Sequence, residues 1–326
     1  VANRNSKPTW SYEKAHSILG HPGRAYLEGT IKYLEQPIEE KKESECKECL
    51  IAKARRTNIP KLADDHSTIA GERICIDTSS VMNTDLKRVG RFWLLIVDEA
   101  TNMKWSYFLQ KKSDQTIAIK SFIADLKAKH KIEVKFIRCD NAGENKSLQK
   151  ELEENGFGIQ FEYTARNTPQ QNGKVERAFA TLYGRMRAMM LETGLEEPMR
   201  HKLWPEAAAT ATKLDNILCK NGEPNPHLKF YGKETKYEKH LRTFGELGVV
   251  TLNPGNSIKA KLSDRGILCM FVGYARDHAG DVYRMYNFKS QKVMITRDIR
   301  WMDKPYKEKV GKNTKRFIAE FEEIDK

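Results

Sequence analysis

Between Arg73 and Glu192 the chain changes its hydrophobic period several times, and the order of those changes leaves few folds open. Three runs of strand character come first: Arg73–Val81, Arg91–Asp98 and Lys104–Leu109. The second contains Phe92-Trp93-Leu94-Leu95-Ile96-Val97, the composition of a strand buried on both faces. An amphipathic helix is then expected over Asp114–His130, with Ile117, Phe122 and Leu126 among its apolar positions. Another buried strand, Glu133–Cys139, ends in the turn signal Asp140-Asn141-Ala142-Gly143. A short helix (Ser147–Asn155), a strand (Gln160–Tyr163) and a Pro/Gln/Asn-rich loop at 166–173 follow, and a long helix runs from Gly173 to Glu192. Successive strands, then alternating helix and strand, predict the α/β class with a mixed sheet flanked by helices.

The flanks read differently. Residues 1–72 are helix- and loop-like, with a charged stretch from Glu39 to Glu48. Beyond Pro198 a helical stretch, Lys202–Leu218, leads to short apolar strands at Gly248–Leu252, Ile267–Tyr274, Val282–Asn287 and Lys292–Thr296. That spacing suggests a small separate β-domain or barrel. The 326 residues suggest about two or three domains. The expected division is 1–70, 71–200, a helical linker 201–245, a β-domain 246–305 and a charged tail 306–326. With 39% hydrophobic residues the chain can pack cores, which excludes wholesale disorder. No apolar run approaches the roughly 18 residues that span a bilayer, so no membrane partner is expected. The opening Val1-Ala2-Asn3-Arg4 is neither a signal peptide nor a natural initiator, which suggests a processed product or an excerpt from a longer chain. A net charge of +13, from 57 basic and 44 acidic residues, points to a polyanionic partner, nucleic acid being the commonest.

Six cysteines are too few for a disulfide scaffold. Cys75, Cys139, Cys219 and Cys269 lie in apolar stretches and read as reduced, buried thiols. Cys46 and Cys49 form Cys-x2-Cys in polar surroundings, which is metal-ligand spacing. His16 and His21 precede them, and two imidazoles with two thiolates complete a closed tetrahedral structural zinc site. A region with few large apolar residues gains stability from such a staple. The alternative is two surface histidines beside an incidental Cys-x2-Cys.

Three acidic residues stand out by position. Asp77 closes the first strand, Asp140 closes a later one, and Glu176 lies on the first turn of the long helix. Carboxylates at strand ends reach the sheet rim, where ligands bind in α/β folds. Val175, Phe179, Leu182, Met186 and Met189 form one apolar stripe on the helix. Glu176, about 100° away, lies at its edge and can point along the rim. Three converging carboxylates would hold two Mg²⁺ or Mn²⁺ ions about 4 Å apart for in-line phosphoryl displacement. With 44 acidic residues, composition alone does not single these three out. A strand-end Asp also caps turns, and a first-turn Glu suits the helix dipole.

Taken together, His16, His21, Cys46, Cys49, Asp77, Asp140 and Glu176 resemble the integrase of copia-type long-terminal-repeat retrotransposons. The 35 residues between Asp140 and Glu176 match that family's D,D-35-E signature. Local words match as well: Leu19-Gly20-His21-Pro22, the run from Cys46 to Lys53, and Thr168 to Arg177. Later matches are His240 to Gly245, Lys261-Leu262, Phe271-Val272-Gly273-Tyr274 and Thr296-Arg297-Asp298-Ile299, so the resemblance covers roughly residues 10–303. The chain departs from the pattern at Ala15, where Trp is common, at Ala142, where Gly is usual, and around Asp77-Thr78-Ser79-Ser80. The resemblance implies an HHCC zinc domain, an RNase H-like catalytic core and a C-terminal β-domain. It implies Mg²⁺-dependent 3′-end processing and strand transfer of element-end DNA into target DNA by a homo-oligomer, dimer or tetramer, on paired ends. It also implies nuclear action after a cytoplasmic virus-like-particle stage, with the host tethering factor unknown. A domesticated, inactive DNA-binding descendant and an RNase H-like nuclease are the alternatives.

Candidate DNA contacts follow. Gln170, Asn172 and Lys174 precede Glu176 on a loop bordering the acids, and Arg177 follows on the helix with Arg185 and Arg187. Lys53, Arg55 and Arg56 make a basic cluster after the zinc ligands. Glu144 and Asp98 read as turn residues rather than further metal ligands, and Trp105 and Trp204 as core. Residues 1–72 carry +1, 73–197 carry +3 and 198–326 carry +9, so the DNA-holding surface is expected in the C-terminal third.

Overall fold

The computed structural model describes residues 8–39, 46–53, 67–81, 90–163, 173–252 and 264–306. Its contacts divide the chain into two compact units: Val1–Lys53, Arg185–Ala211 and Thr235–Lys326 form one, and Ala54–Gly184 with Thr212–Glu234 the other.

The second unit contains the expected mixed sheet. Strands β1 (Arg73–Ser80), β2 (Phe92–Asp98), β3 (Lys104–Leu109), β4 (Phe136–Cys139) and β5 (Gln160–Tyr163) lie in the order β3-β2-β1-β4-β5. β1 pairs antiparallel with β2 and parallel with β4, which in turn runs parallel to β5. β2, apolar from Phe92 to Val97, sits beside β1 in the interior, as its composition requires. One core gathers Ile74, Ile76, Leu94 and Ile96 from the strands, with Ile119, Phe122, Leu148 and Leu152 from the two helices α4 (Asp114–Asp125) and α5 (Gly143–Glu154). The expected helix Asp114–His130 is α-helical to Asp125 and finishes in a wider turn, Leu126–His130. Helix α5 starts four residues before its expected position, because Asn145 folds back onto Asp140 and the turn leads straight into the helix.

In the other unit are α1 (Tyr12–Ile18), α2 (Arg24–Tyr33) and α3 (Lys47–Ala52), together with a five-stranded antiparallel sheet. Its strands are β6 (Glu246–Thr251), β7 (Gly266–Tyr274), β8 (Tyr283–Asn287), β9 (Lys292–Thr296) and β10 (Ile299–Pro305), in the order β10-β6-β7-β8-β9. The first four were expected; β10 was not. Among the described residues β9 and β10 are the sheet's two edges, so the pairing seen is that of an open sheet.

Helices α6 (Gly173–Glu192) and α7 (Glu197–Asp215) each contribute residues to both units, and α8 (Pro226–Tyr231) belongs with the mixed sheet. α6 has the expected bounds, and all five residues of its predicted stripe are buried. α7 begins five residues before the expected Lys202, since Pro198 falls in its first turn, where a missing N–H costs nothing. No described helix is long and apolar enough to cross a membrane.

Candidate active site and metal centre

Helix α1 opens on Ser11, whose hydroxyl accepts the Lys14 N–H at 3.1 Å, and carries His16 in its last turn. The chain then leaves through Gly20 and His21, both with positive φ (74° and 58°). Glycine adopts this conformation freely; for histidine it is uncommon and unfavourable. The turn closes with the His21 N–H donating to the His16 carbonyl at 2.8 Å. It sets the two imidazoles edge to face, centroids 4.9 Å apart. Cys46 caps α3 and Cys49 lies one turn inside it. Cys49 Sγ is 3.1 Å from His16 Nε2, and His21 Nδ1 is 3.4 Å from Cys46 Sγ and 3.7 Å from Cys49 Sγ. All four donor atoms lie within 4.8 Å of one another, the single such group among the described residues. Two nitrogens and two sulfurs at this spacing can hold a metal ion, and the donor chemistry fits zinc.

The electrostatics favour ligand-like protonation of one sulfur. Burial raises the Cys49 thiol, but hydrogen bonds with His16 and His21 and the charge of Lys53 outweigh it and bring the thiol down to about 5. Burial likewise lowers His21, yet its bonds to Cys46, Cys49 and Glu192 lift it to about 11. Lys53 turns inward to this group, donating to Cys49 Sγ at 3.2 Å and to the His21 carbonyl. From the end of α6, Glu192 Oε2 accepts from His21 Nε2 at 2.7 Å, and its other oxygen accepts from the Ser17 hydroxyl.

The acidic residues come from three elements of the other unit. Asp140 directly follows β4 and Glu176 lies in the first turn of α6, both solvent-exposed and as expected. Asp77 is not a strand end: β1 runs three residues further, to Ser80, because Thr78, Ser79 and Ser80 keep pairing with Leu94, Trp93 and Phe92. Burial, chiefly, together with the charges of Asp140 and Glu176, pushes the Asp77 carboxyl up to about 6. The Thr78 N–H, 2.7 Å away, and Lys112 oppose that rise. Asp140 and Glu176 therefore both act electrostatically on Asp77, and the oxygen-only donor set of the three fits a hard divalent cation.

A run of side chains missed by sequence reasoning fixes Asp140. The Asn145 amide donates to Asp140 Oδ1 at 2.6 Å and to its carbonyl at 3.1 Å. Gln115 donates to Asn145 Oδ1 at 2.9 Å, and the Thr78 hydroxyl donates to Gln115 Oε1 at 2.9 Å. Gln115 and Asn145 are both buried, so amides in otherwise amphipathic helices were the available signal. The start of α6 is held by Phe179 and Tyr183 packed on Trp93, centroids 5.3 and 4.9 Å away, and by the Tyr183 hydroxyl donating to Ser79 at 2.9 Å.

Among the candidate DNA contacts, Lys174 is directed inward, donating to the Glu99 carbonyl, and burial lowers its pKa. Arg177 is exposed. Arg55, Arg56, Gln170 and Asn172 lie outside the described residues. Asp98 is the turn cap expected, accepting from the N–H groups of Gly71 and Thr101 at 2.8 Å each. Trp105 packs on Phe122 and Phe230, and Trp204 is buried.

The retroviral polymerase SH3-like domain family matches residues 249–314. Over 261 residues the chain is 27% identical to the retrovirus-related Pol polyprotein from transposon TNT 1-94 of Nicotiana tabacum, a match covering 78% of this chain and 18% of that protein. It is 26% identical over 247 residues to the truncated transposon Ty1-A Gag-Pol polyprotein of Saccharomyces cerevisiae, covering 71% and 19%. The chain thus spans under a fifth of the length of these curated relatives. A solved simian T-cell lymphotropic virus intasome, in complex with PP2A regulatory subunit B56 gamma, matches with a TM-score of 0.41 and 12% identity over 77% of this chain and 85% of that one, too slight a likeness to argue from.

Proposed function

We propose that this chain, a retrotransposon integrase-type protein, is a metal-dependent polynucleotidyl transferase that trims the 3′ ends of element DNA and joins them to target DNA. The observation that supports this most is Asp77, a carboxyl lifted to about 6 by burial and by the charges of Asp140 and Glu176. Like charges held this way are costly until a cation joins them. Asp77, Asp140 and Glu176 would hold Mg²⁺ or Mn²⁺, which when bound activates the attacking oxygen and stabilises the leaving oxygen of an in-line displacement. The protein's own contribution is positional. Asn145 fixes the orientation of the Asp140 carboxylate and is itself held by Gln115. The packing of Phe179 and Tyr183 against Trp93 sets the turn that carries Glu176. The β1–β4–β5 arrangement with Asp77 on a central strand supports an RNase H-like core.

In this reading the His16, His21, Cys46 and Cys49 group is a structural zinc site, and the basic C-terminal third grips DNA. The active form is an oligomer on two paired ends, acting in the nucleus. A strand-transfer assay with Mg²⁺ and matched DNA ends tests the proposal. The unmutated chain is expected to give joined product and Glu176→Gln none. No product from the unmutated chain, with zinc loaded, overturns it; cleavage without joining would favour a nuclease of the same fold.

A further inference from the structure

Glu192 lies 171 residues from His21 in sequence, yet its carboxylate is 2.7 Å from His21 Nε2. The imidazole is 2% exposed and the carboxylate 27%, so the pair is largely withdrawn from water. With Nε2–H donating to Glu192, Nδ1 is the ring atom facing Cys46 Sγ and Cys49 Sγ, at 3.4 and 3.7 Å, and the one whose proton a metal ion would displace. The Ser17 hydroxyl donates to the second oxygen and fixes the carboxylate. Glu192 is also the last residue of α6, a helix with no basic residue in its last turn. An acid at a helix C-terminus is disfavoured by the helix dipole. The His21 and Ser17 contacts are what favour it there.

We propose that Glu192 is the outer-shell carboxylate of the metal centre: it sets the His21 tautomer, aims Nδ1 at the ion and raises the basicity of the ring. Removing such a partner typically costs about 10- to 100-fold in metal affinity. The inference rests on the zinc reading above, and the two fail separately.

The test measures zinc affinity of the full chain by chelator competition, with the Co²⁺-substituted absorption spectrum as a second readout. Glu192→Ala is expected to weaken zinc binding by about 10- to 100-fold and to alter the Co²⁺ bands. Glu192→Gln keeps the shape and an acceptor oxygen but loses the charge, so it should fall between the two. Ser17→Ala, which keeps the carboxylate on His21, should lie closest to the unmutated chain. One zinc per chain bound by all variants within twofold overturns the role of Glu192, even if the metal-free melting temperature falls. No zinc bound by the unmutated chain overturns the zinc reading, and this inference with it.

Discussion

Asp77 is the residue at which stability and chemistry conflict most directly. Its carboxyl titrates near 6 in the fold against an ordinary 3.8, so the folded chain binds that proton more tightly than the unfolded chain. The contribution to stability is therefore present below pH 3.8, is lost as pH rises through 6, and stays lost above it. Asp77→Asn removes the titration. In magnesium-free buffer the variant should melt higher than the unmutated chain at pH 7.5 and nearly equally at pH 4. The gain is at most about 3 kcal/mol before solvent screening, and strand transfer should be abolished. Equal shifts at both pH values would sink the assignment. The residues named from sequence, His16, His21, Cys46 and Cys49, were legible because each pair carries a ligand spacing. Asn145, Gln115 and Glu192 were not: an amide within an amphipathic helix hints at a buried role, but a single side chain has no period, and only the fold shows what it touches.

At the scale of elements, hydrophobic period located α6, β5 and β9 to the residue. It failed where polar side chains decide the structure. β10 pairs with β6 alone, so an edge strand containing Arg300 offered no alternating apolar run to find. Charged residues on the mixed sheet close a ring. Glu99, directly after β2, bridges Arg73 of β1 and Arg138 of β4 at 3.0 and 2.8 Å, and Glu162 of β5 bridges the same two arginines at 3.0 and 2.8 Å. Arg138 and Glu162 are direct partners across β4 and β5, so the ring holds the register of three adjacent strands. The Glu99 side chain is 2% exposed, and removing it leaves two largely buried guanidinium groups sharing the one carboxylate of Glu162. Glu99→Ala is thus expected to cost about 3–5 kcal/mol in denaturant unfolding. Glu99→Gln should cost less, since it keeps an acceptor for one guanidinium. A loss below about 1 kcal/mol for Glu99→Ala would show the ring to be incidental.

For the whole molecule, the sequence separates charge more clearly than it separates domains. The grouping of residues 1–53 with 235–326 in one compact unit has no signal in chain order, because it depends on contacts between segments far apart in sequence. The charge gradient needs no contacts: residues 198–326 hold 25 basic against 16 acidic residues, while 73–197 hold 20 against 17. A nearly balanced segment suits the cation site proposed for the carboxylates, and the excess elsewhere suits the proposed grip on phosphate. Each phosphate neutralised contributes about 0.9 to the slope of log affinity against log salt, so even two contacts predict roughly a tenfold loss between 50 and 200 mM. The same relation locates the grip. Replacing the exposed Lys292 and Arg300 with glutamine should reduce the salt slope by about 1 per residue and weaken binding equally on all sequences. Replacing the exposed Lys127 and Lys129, which lie in the balanced segment and pair with Glu133 and Asp125, should leave the slope within about 0.5 of the unmutated chain. Fluorescence anisotropy on one labelled duplex across a salt series measures both. A larger change from the Lys127 and Lys129 pair would place the DNA on the segment that bears the acids and leave the C-terminal excess without its proposed role.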